Sequence, residues 1–394
     1  MSLSFEYHMP TRIIFGAGKL NELDKISMPG RHALVVMTSG QSMKRYGYLD
    51  KLIASLTQAD IQTTVFAKVL ANPVVEHVHE AAEIARQQGC DFIIGFGGGS
   101  AVDTAKSVAV MVNNPGDYWD YIGTGSGKGK AVEAPVLPIV AIPTTAGTGT
   151  ESDPWTVITK TDSKEKIGFG IPETFPQIAL VDPELMVSVP PKLTAYQGMD
   201  AFFHAAEGYL ASIAQPASEL YSLDSVARIQ QYLPRAVTQG DDIEARSQLA
   251  WASTQSGMVE STSCVISHHS LEHALSAYYP DVPHGAGLVM LSIPYFTFMA
   301  NHAPSRFVPL AKAMGAELTG LTEQQQALAF VEKLKQLIAD VGLADLRLRD
   351  FDVKREDMDA MAQNAFDTMG FLFDLDPHPL TKEDIVAIYE ASYA

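Results

Sequence analysis

Cysteine is almost missing from this chain: Cys90 and Cys264, far apart, are the only two in 394 residues. Such a pair builds no disulfide framework, and a reducing cytoplasm is the expected home. Long apolar runs are also missing, since none approaches the ~20 residues of a membrane-spanning helix. The opening MSLSFEYHMPTR lacks the basic-then-apolar order of a secretory leader, so none is expected. Positive charge is scarce, with 28 Lys and Arg against 46 Asp and Glu and a net charge of −18. Nucleic acid and anionic membranes both require clustered cations, so neither is an expected partner. A small-molecule ligand is.

What the chain does have is the balance of a globular enzyme, 46% hydrophobic and 19% charged residues. At 394 residues it is too long for one ordinary core, which predicts two domains. In the first half short apolar runs alternate with amphipathic ones. Strands are expected at 32–39, 63–67, 91–96, 136–143 and 178–182, with a shorter one inside 10–20. Helices are expected at 48–58, 73–88 and 100–114, the second opening with Pro73 in its first turn. This alternation predicts an α/β domain, a mainly parallel, Rossmann-like sheet with helices on both faces. The stretch GTGSGKGKA at 123–131 is expected to be a mobile loop.

From about residue 185 strand-like runs give way to long helical periods that continue to the C-terminus. Pro183, Pro190 and Pro191 interrupt the chain at the change of texture. The expected division is therefore 1–184, an α/β dinucleotide-binding domain, and 185–394, an all-α domain.

Four of the eleven histidines, His268, His269, His273 and His284, crowd into ISHHSLEHALSAYYPDVPHGAG. Upstream, GMDAFFHAAEGYL places Asp200 and His204 four residues apart. Residues at i and i+4 share a helix face, so Asp200 and His204 can address one atom together, and His269 and His273 repeat the spacing. A single histidine on an apolar helix face is ordinarily a core residue. Here several cluster beside a carboxylate. Asp200, His204, His269 and His284 form a suitable ligand set for Fe²⁺ or Zn²⁺. His268 points elsewhere on its helix, and it reads as a support for the ligands or as a surface residue.

Three glycine-rich or hydroxyl-rich turns follow strands. In FGGGSAVDTAK (96–106) the glycines admit close backbone approach, and a helix start at Ser100 would offer N–H groups to a phosphate. The stretch does not carry the G-x-G-x-x-G fingerprint, and glycine runs after strands are more commonly plain turns, so by itself the signal is weak. PTTAGTGTES (143–152) could line a nucleotide channel or be a polar loop. After the first strand of the alternation, TSGQSMKR (38–45) holds Thr38, Ser39, Ser42, Lys44 and Arg45 where a dinucleotide fold sets a ribose-binding acid. No Asp or Glu stands there, which leans towards a 2′-phosphate and so NADP(H) over NAD(H), although a surface helix start with ordinary basic residues accounts for the stretch equally.

GGGSAVDTAK, PTTAGTGTES, VDPELMVSVPPKLTAYQGMDAFFHAAEGY and HHSLEHA…VPHGAG occur in one order and spacing. With them the whole chain resembles an iron-containing (group III) alcohol dehydrogenase of the dehydroquinate synthase-like superfamily. The resemblance implies metal ligation by Asp200, His204, His269 and His284, with His273 beside nicotinamide and substrate. It implies cofactor contacts by Gly98, Gly99, Ser100 and Asp103 at the pyrophosphate, and by Thr144, Thr145, Thr148, Lys166 and Asn72. Ser39 and Leu185 complete the expected cofactor-binding set. The implied activity is metal-dependent hydride transfer between a primary or short-chain alcohol and NAD(P), in a cytoplasmic homo-oligomer such as a dimer. Alternatives are a glycerol or polyol dehydrogenase and a non-catalytic nucleotide-binding assembly subunit. A dehydroquinate synthase would need several cations at its metal, and residues 194–300 offer only Arg228, Arg235 and Arg246.

Overall fold

A computed structural model describes residues 4–393. Six strands form one parallel sheet, β1 (Arg12–Phe15), β2 (His32–Thr38), β3 (Gln62–Val69), β4 (Phe92–Gly97), β5 (Ile139–Pro143) and β8 (Ile178–Val181). Their order across the sheet is β1-β8-β5-β4-β2-β3. Two further strands, β6 (Thr156–Lys160) and β7 (Glu165–Phe169), make a separate antiparallel hairpin.

β2 shows why an apolar run becomes a central strand. Successive side chains of a strand point to opposite faces. Leu34 and Val36 enter the core on one face of the sheet, while Val35 and Met37 enter the core on the other. Both faces are covered, so the run reads as continuously hydrophobic. After a turn at α1 (Ser42–Arg45), α2 (Tyr48–Gln58) covers one face with Leu52 and Leu56; α3 (Val75–Gln88) and α4 (Gly99–Met111) cover the other with Val78 and Ala105.

The expected helix over 73–88 begins two residues later. Val74 is extended and caps α3, because the Pro73 carbonyl accepts the Thr159 N–H of β6 at 2.8 Å. Proline here ends an extended approach and does not open the helix. The stretch 123–131 is also more tied than expected. Gly129 N donates to the Ile122 carbonyl at 2.8 Å, and Ser126 bonds to the Glu165 carboxylate through its N–H and its hydroxyl.

From Pro191 onward the regular structure is helical. α5 (Pro191–Leu210), α6 (Pro216–Thr238) and α7 (Ile243–Ser263) pack together. α8 (Ser267–Tyr278) and α9 (His284–His302) follow, then α10 (Pro304–Ala313), α11 (Glu323–Asp340), α12 (Met358–Met369) and α13 (Lys382–Ala391). Several starts are written locally. Pro191 occupies the first position of α5, where a missing N–H costs nothing. Thr322 and Gln325 form a capping box at α11. The core of this part is rich in aromatic rings, with Phe202, Phe203, Phe296, Phe307 and Phe330 fully buried. Among the described residues, no helix is long and apolar enough to cross a membrane.

Candidate functional site

A long cleft and a deeper cavity share lining residues where the strand C-termini face the helices. The cleft floor is built by the β4–α4 turn. Gly99 begins α4, and a Cβ there would stand 2.6 Å from Thr148 Cγ2, so only glycine lets the two loops close on each other. Gly98, Gly99, Ser100, Thr144, Thr145 and Thr148 line the cleft, with Ser39 and Leu185 toward its other parts. The N-terminus of α4 opens here, presenting a positive dipole end and N–H groups suited to phosphate.

Asn72 lines both cavities and donates from Nδ2 to the Pro280 carbonyl at 2.8 Å. Asp103 and Lys166 line the deeper cavity instead of the cleft. Asp103 is turned inward and bonds Thr150 Oγ1 at 2.7 Å and Val157 N at 3.0 Å. Lys44 and Arg45 lie outside the cleft lining, and the Arg45 guanidinium rests 5.9 Å from the Tyr46 ring centre.

The deeper cavity is lined at one end by His204, His269, His273 and His284. Asp200 and His204 lie one turn apart on α5, His269 and His273 one turn apart on α8, and His284 is the first residue of α9. Three imidazoles converge on one carboxylate oxygen. Asp200 Oδ1 lies 3.2 Å from His204 Nδ1, 3.5 Å from His284 Nε2 and 3.8 Å from His269 Nε2. Ligand atoms of Asp200, His269 and His284 all fall within 4.8 Å of one another. His204 stands beside this trio: its Nδ1 bonds the Asp200 carbonyl at 2.9 Å, and its Nε2 faces Glu260 Oε2 at 3.5 Å.

Two observations make these residues fit a divalent cation. Asp200 Oδ1 and His269 Nε2 are buried and have no hydrogen-bond partner, although buried polar atoms nearly always have one. The electrostatics also call for positive charge. Burial would disfavour an ionised Asp200, yet His204 and His284 pull its carboxyl well below the usual range. Burial likewise opposes a charged His204, but Asp200 and Glu260 push it up to about 10. A mixed oxygen and imidazole donor set suits iron or zinc.

Sequence reading missed the carboxylates that aim the rings. Glu207 Oε1 takes both His268 Nδ1 and His269 Nδ1 at 2.7 Å. Its carboxyl is held at about 2; burial opposes this, and His269 and His268 outweigh it. Glu272 bonds His284 Nδ1 and also Lys166 Nζ at 3.2 Å. Both acids leave an Nε2 free to face Asp200, a usual arrangement for metal-binding histidines. The signal was present, because Glu207 follows Asp200 and His204 by seven and three residues on one helix face. His268 is wholly buried between Glu207 and the Leu288 carbonyl, so its surface reading is corrected.

His273 is buried in the cavity lining, and its Nδ1 has no partner. Burial, with Lys166 and His284 nearby, holds it well below the ordinary histidine range and hence neutral.

Comparison with known proteins gives a consistent answer. A family model described as iron-containing alcohol dehydrogenase matches residues 10–183. A second, described as the C-terminal part of the Fe-containing alcohol dehydrogenase family, matches residues 194–393. The chain is 31% identical to a NAD-dependent methanol dehydrogenase of Bacillus methanolicus, covering 97% of this chain and 98% of that one. It is 31% identical to a 1,3-propanediol dehydrogenase of Klebsiella pneumoniae, covering 99% of each. Among solved structures, an archaeal halo-thermophilic alcohol dehydrogenase from a Red Sea brine pool superposes with a TM-score of 0.94. That match has 31% identity and covers 100% of both chains.

Proposed function

The chain belongs to the iron-containing alcohol dehydrogenase family, and from that premise we propose that Asp200, His204, His269 and His284 hold its metal at the end of the cavity. The protein is an oxidoreductase, an alcohol dehydrogenase of the iron type. Its family implies a metal, iron, and use of NAD(H). The observation that carries the site reading is the convergence of three imidazoles on Asp200 Oδ1, with that oxygen and His269 Nε2 left unpartnered. When bound, the cation supplies Lewis acidity at an alcohol or carbonyl oxygen, and the nicotinamide supplies the hydride acceptor or donor.

The remaining work falls to side chains of this protein. Glu207 and Glu272 fix the rings of His269 and His284. His204 completes the set from α5 by turning Nε2 away from Glu260. The α4 N-terminus with Gly98, Gly99 and Ser100 takes the cofactor phosphates, and Thr144, Thr145 and Thr148 line its path. Ser39, Asn72, Asp103, Lys166 and Leu185 belong to the same cofactor-binding proposal. His273, neutral with a bare Nδ1, accepts the hydroxyl hydrogen of an alcohol and so orients it.

The substrate class is a short-chain alcohol or aldehyde, as the names of the relatives suggest. NADP(H) is the proposed preference, since no carboxylate lines the cleft from Thr38 to Met43. Domains of 1–184 and 185–394, a homodimer and a cytoplasmic location belong to the same reading.

The test is purification without a tag, metal analysis, and absorbance of NADH and NADPH with a panel of alcohols and aldehydes. The expected result is one metal per chain and turnover that a chelator abolishes, with Asp200→Ala losing both metal and turnover. An Asp200→Ala protein that oxidises alcohols normally without metal overturns the ligand assignment. Equal efficiency with the two cofactors overturns the NADP(H) preference.

A further inference from the structure

The cavity beside the histidines has an acidic wall that the proposed chemistry does not use. Glu260 sits in the last turn of α7, where its carbonyl receives the Cys264 N–H. Its carboxylate lines the cavity with 14% of the side chain exposed, 3.5 Å from His204 Nε2. Two other carboxylates in the lining are committed to the protein. Asp103 is held by Thr150 and Val157. Asp153 is held by Lys106 Nζ at 2.9 Å and by Trp155 N at 2.7 Å. Among the described residues Glu260 has no such donor; only the edge of the His204 ring stands opposite it. The lysine in the lining, Lys166, is already paired with Glu272.

A sheltered carboxylate without hydrogen bonds is costly unless a cation or strong donor arrives. The same cavity is also lined by the apolar and aromatic side chains of Trp155, Phe371, Met369 and Leu372. An acid in a cavity that also presents aromatic rings suits an ammonium group, which such rings attract through their quadrupoles. An anionic substrate would meet both Glu260 and the partly neutralised Asp153.

We propose that Glu260 makes this cavity select short-chain alcohols carrying an ammonium group, the positive charge seating on its carboxylate between Trp155 and Phe371. This deepens the dehydrogenase reading and rests on it. The reaction balances as for any alcohol. The carbinol C–H leaves as hydride to the nicotinamide, the hydroxyl proton is released, and an ammonium aldehyde, the reduced cofactor and H⁺ are formed.

The test compares choline with its neutral isostere 3,3-dimethyl-1-butanol, alongside 1,3-propanediol, on the metal-loaded wild type, Glu260→Gln and Glu260→Asp. The wild type should favour choline over the isostere by about tenfold or more in kcat/KM, a gap worth about 1.4 kcal/mol. Glu260→Gln should bring the ratio close to one, mainly through the KM for choline, and Glu260→Asp should restore part of it. Calorimetry with tetramethylammonium chloride gives a readout independent of turnover, with binding to the wild type and loss in Glu260→Gln. A wild-type ratio near one, a preference that survives in Glu260→Gln, or a preference for 1,3-propanediol over choline overturns the proposal. Failure of the wild type to oxidise any alcohol would sink the dehydrogenase reading instead, and the calorimetry would still decide the role of Glu260.

Discussion

Glu207 Oε1 lies 2.7 Å from His269 Nδ1, so the opposite nitrogen of that ring points at Asp200. The same oxygen also holds His268. Partners of this kind fix both tautomer and ring direction, and removing one typically costs 10- to 100-fold in metal affinity. Glu207→Gln should therefore weaken metal retention by roughly 10-fold or more while the protein still folds. Competition with a graded series of chelators measures it. Retention equal to the wild type would show that Glu207 does not support the metal.

The helical periods and the i, i+4 pairs on α5 and α8 were legible because burial on one face writes a repeat of 3.6. Strands β2, β4 and β5 were legible as apolar runs. The β6–β7 hairpin was not, since Thr156–Lys160 and Glu165–Phe169 are short and mixed in polarity. Their place is set by contacts with distant residues, such as Val157 N on Asp103. Glu207 shares the ligand face of α5 and was within reach of the sequence, whereas Glu272 looks like an ordinary helix-surface acid; which histidine each one holds is set by folding, since the partners lie on another helix. The role of Glu260 was beyond reach for the same reason, because its partner His204 is 56 positions earlier, on another helix.

Lys106 is entirely buried, and its ammonium bonds Thr150 Oγ1 at 2.6 Å, the Asp153 carbonyl and Oδ1 at 2.9 Å, and the Trp155 carbonyl at 2.6 Å. Removing one partner of a buried pair strands the other charge, at a cost of about 3–5 kcal/mol. Lys106→Met should lower unfolding stability by about that amount. Adding Asp153→Asn should recover part of the loss, because the stranded charge is gone. Urea unfolding of the three proteins decides it, and a double variant no more stable than Lys106→Met would contradict the charge argument.

Gly149 and Gly257 press the 147–152 loop onto α7. Gly149 has φ of +66°, and a Cβ on Gly257 would stand 2.0 Å from the Gly149 carbonyl oxygen. That neighbour is backbone and cannot rotate away, so one of the two elements has to shift. Gly257→Ala should cost about 2–3 kcal/mol and move Thr148, raising the KM for the cofactor. The control Ser247→Ala, at a half-buried position on the same helix where only a hydroxyl bond to the Ile243 carbonyl is lost, should change stability far less, by about 0.5 kcal/mol. Similar unfolding midpoints for the two variants would refute the close-packing account.

Asp376 ties the C-terminal segment to the start of α8. Its Oδ1 accepts the Ser267 N–H at 3.0 Å and the Tyr295 hydroxyl at 3.1 Å, while buried Oδ2 has no partner. Burial raises its carboxyl to about 7 despite those bonds, and Glu207 adds to the rise. An acid raised on folding binds its proton more tightly in the native state. Its contribution is therefore complete below the unfolded value near 3.8 and is lost as pH climbs through about 7. The slope in that window is about 1.4 kcal/mol per pH unit at most. Asp376→Asn keeps an acceptor for Ser267 and Tyr295 but carries no titrating proton. Relative to the wild type, this variant should gain roughly 1–3 kcal/mol between pH 5 and pH 7. Taking the difference between the two proteins removes every other titrating group they share. Denaturant unfolding at the two pH values measures it, and a difference that stays constant would mean that Asp376 is ionised throughout.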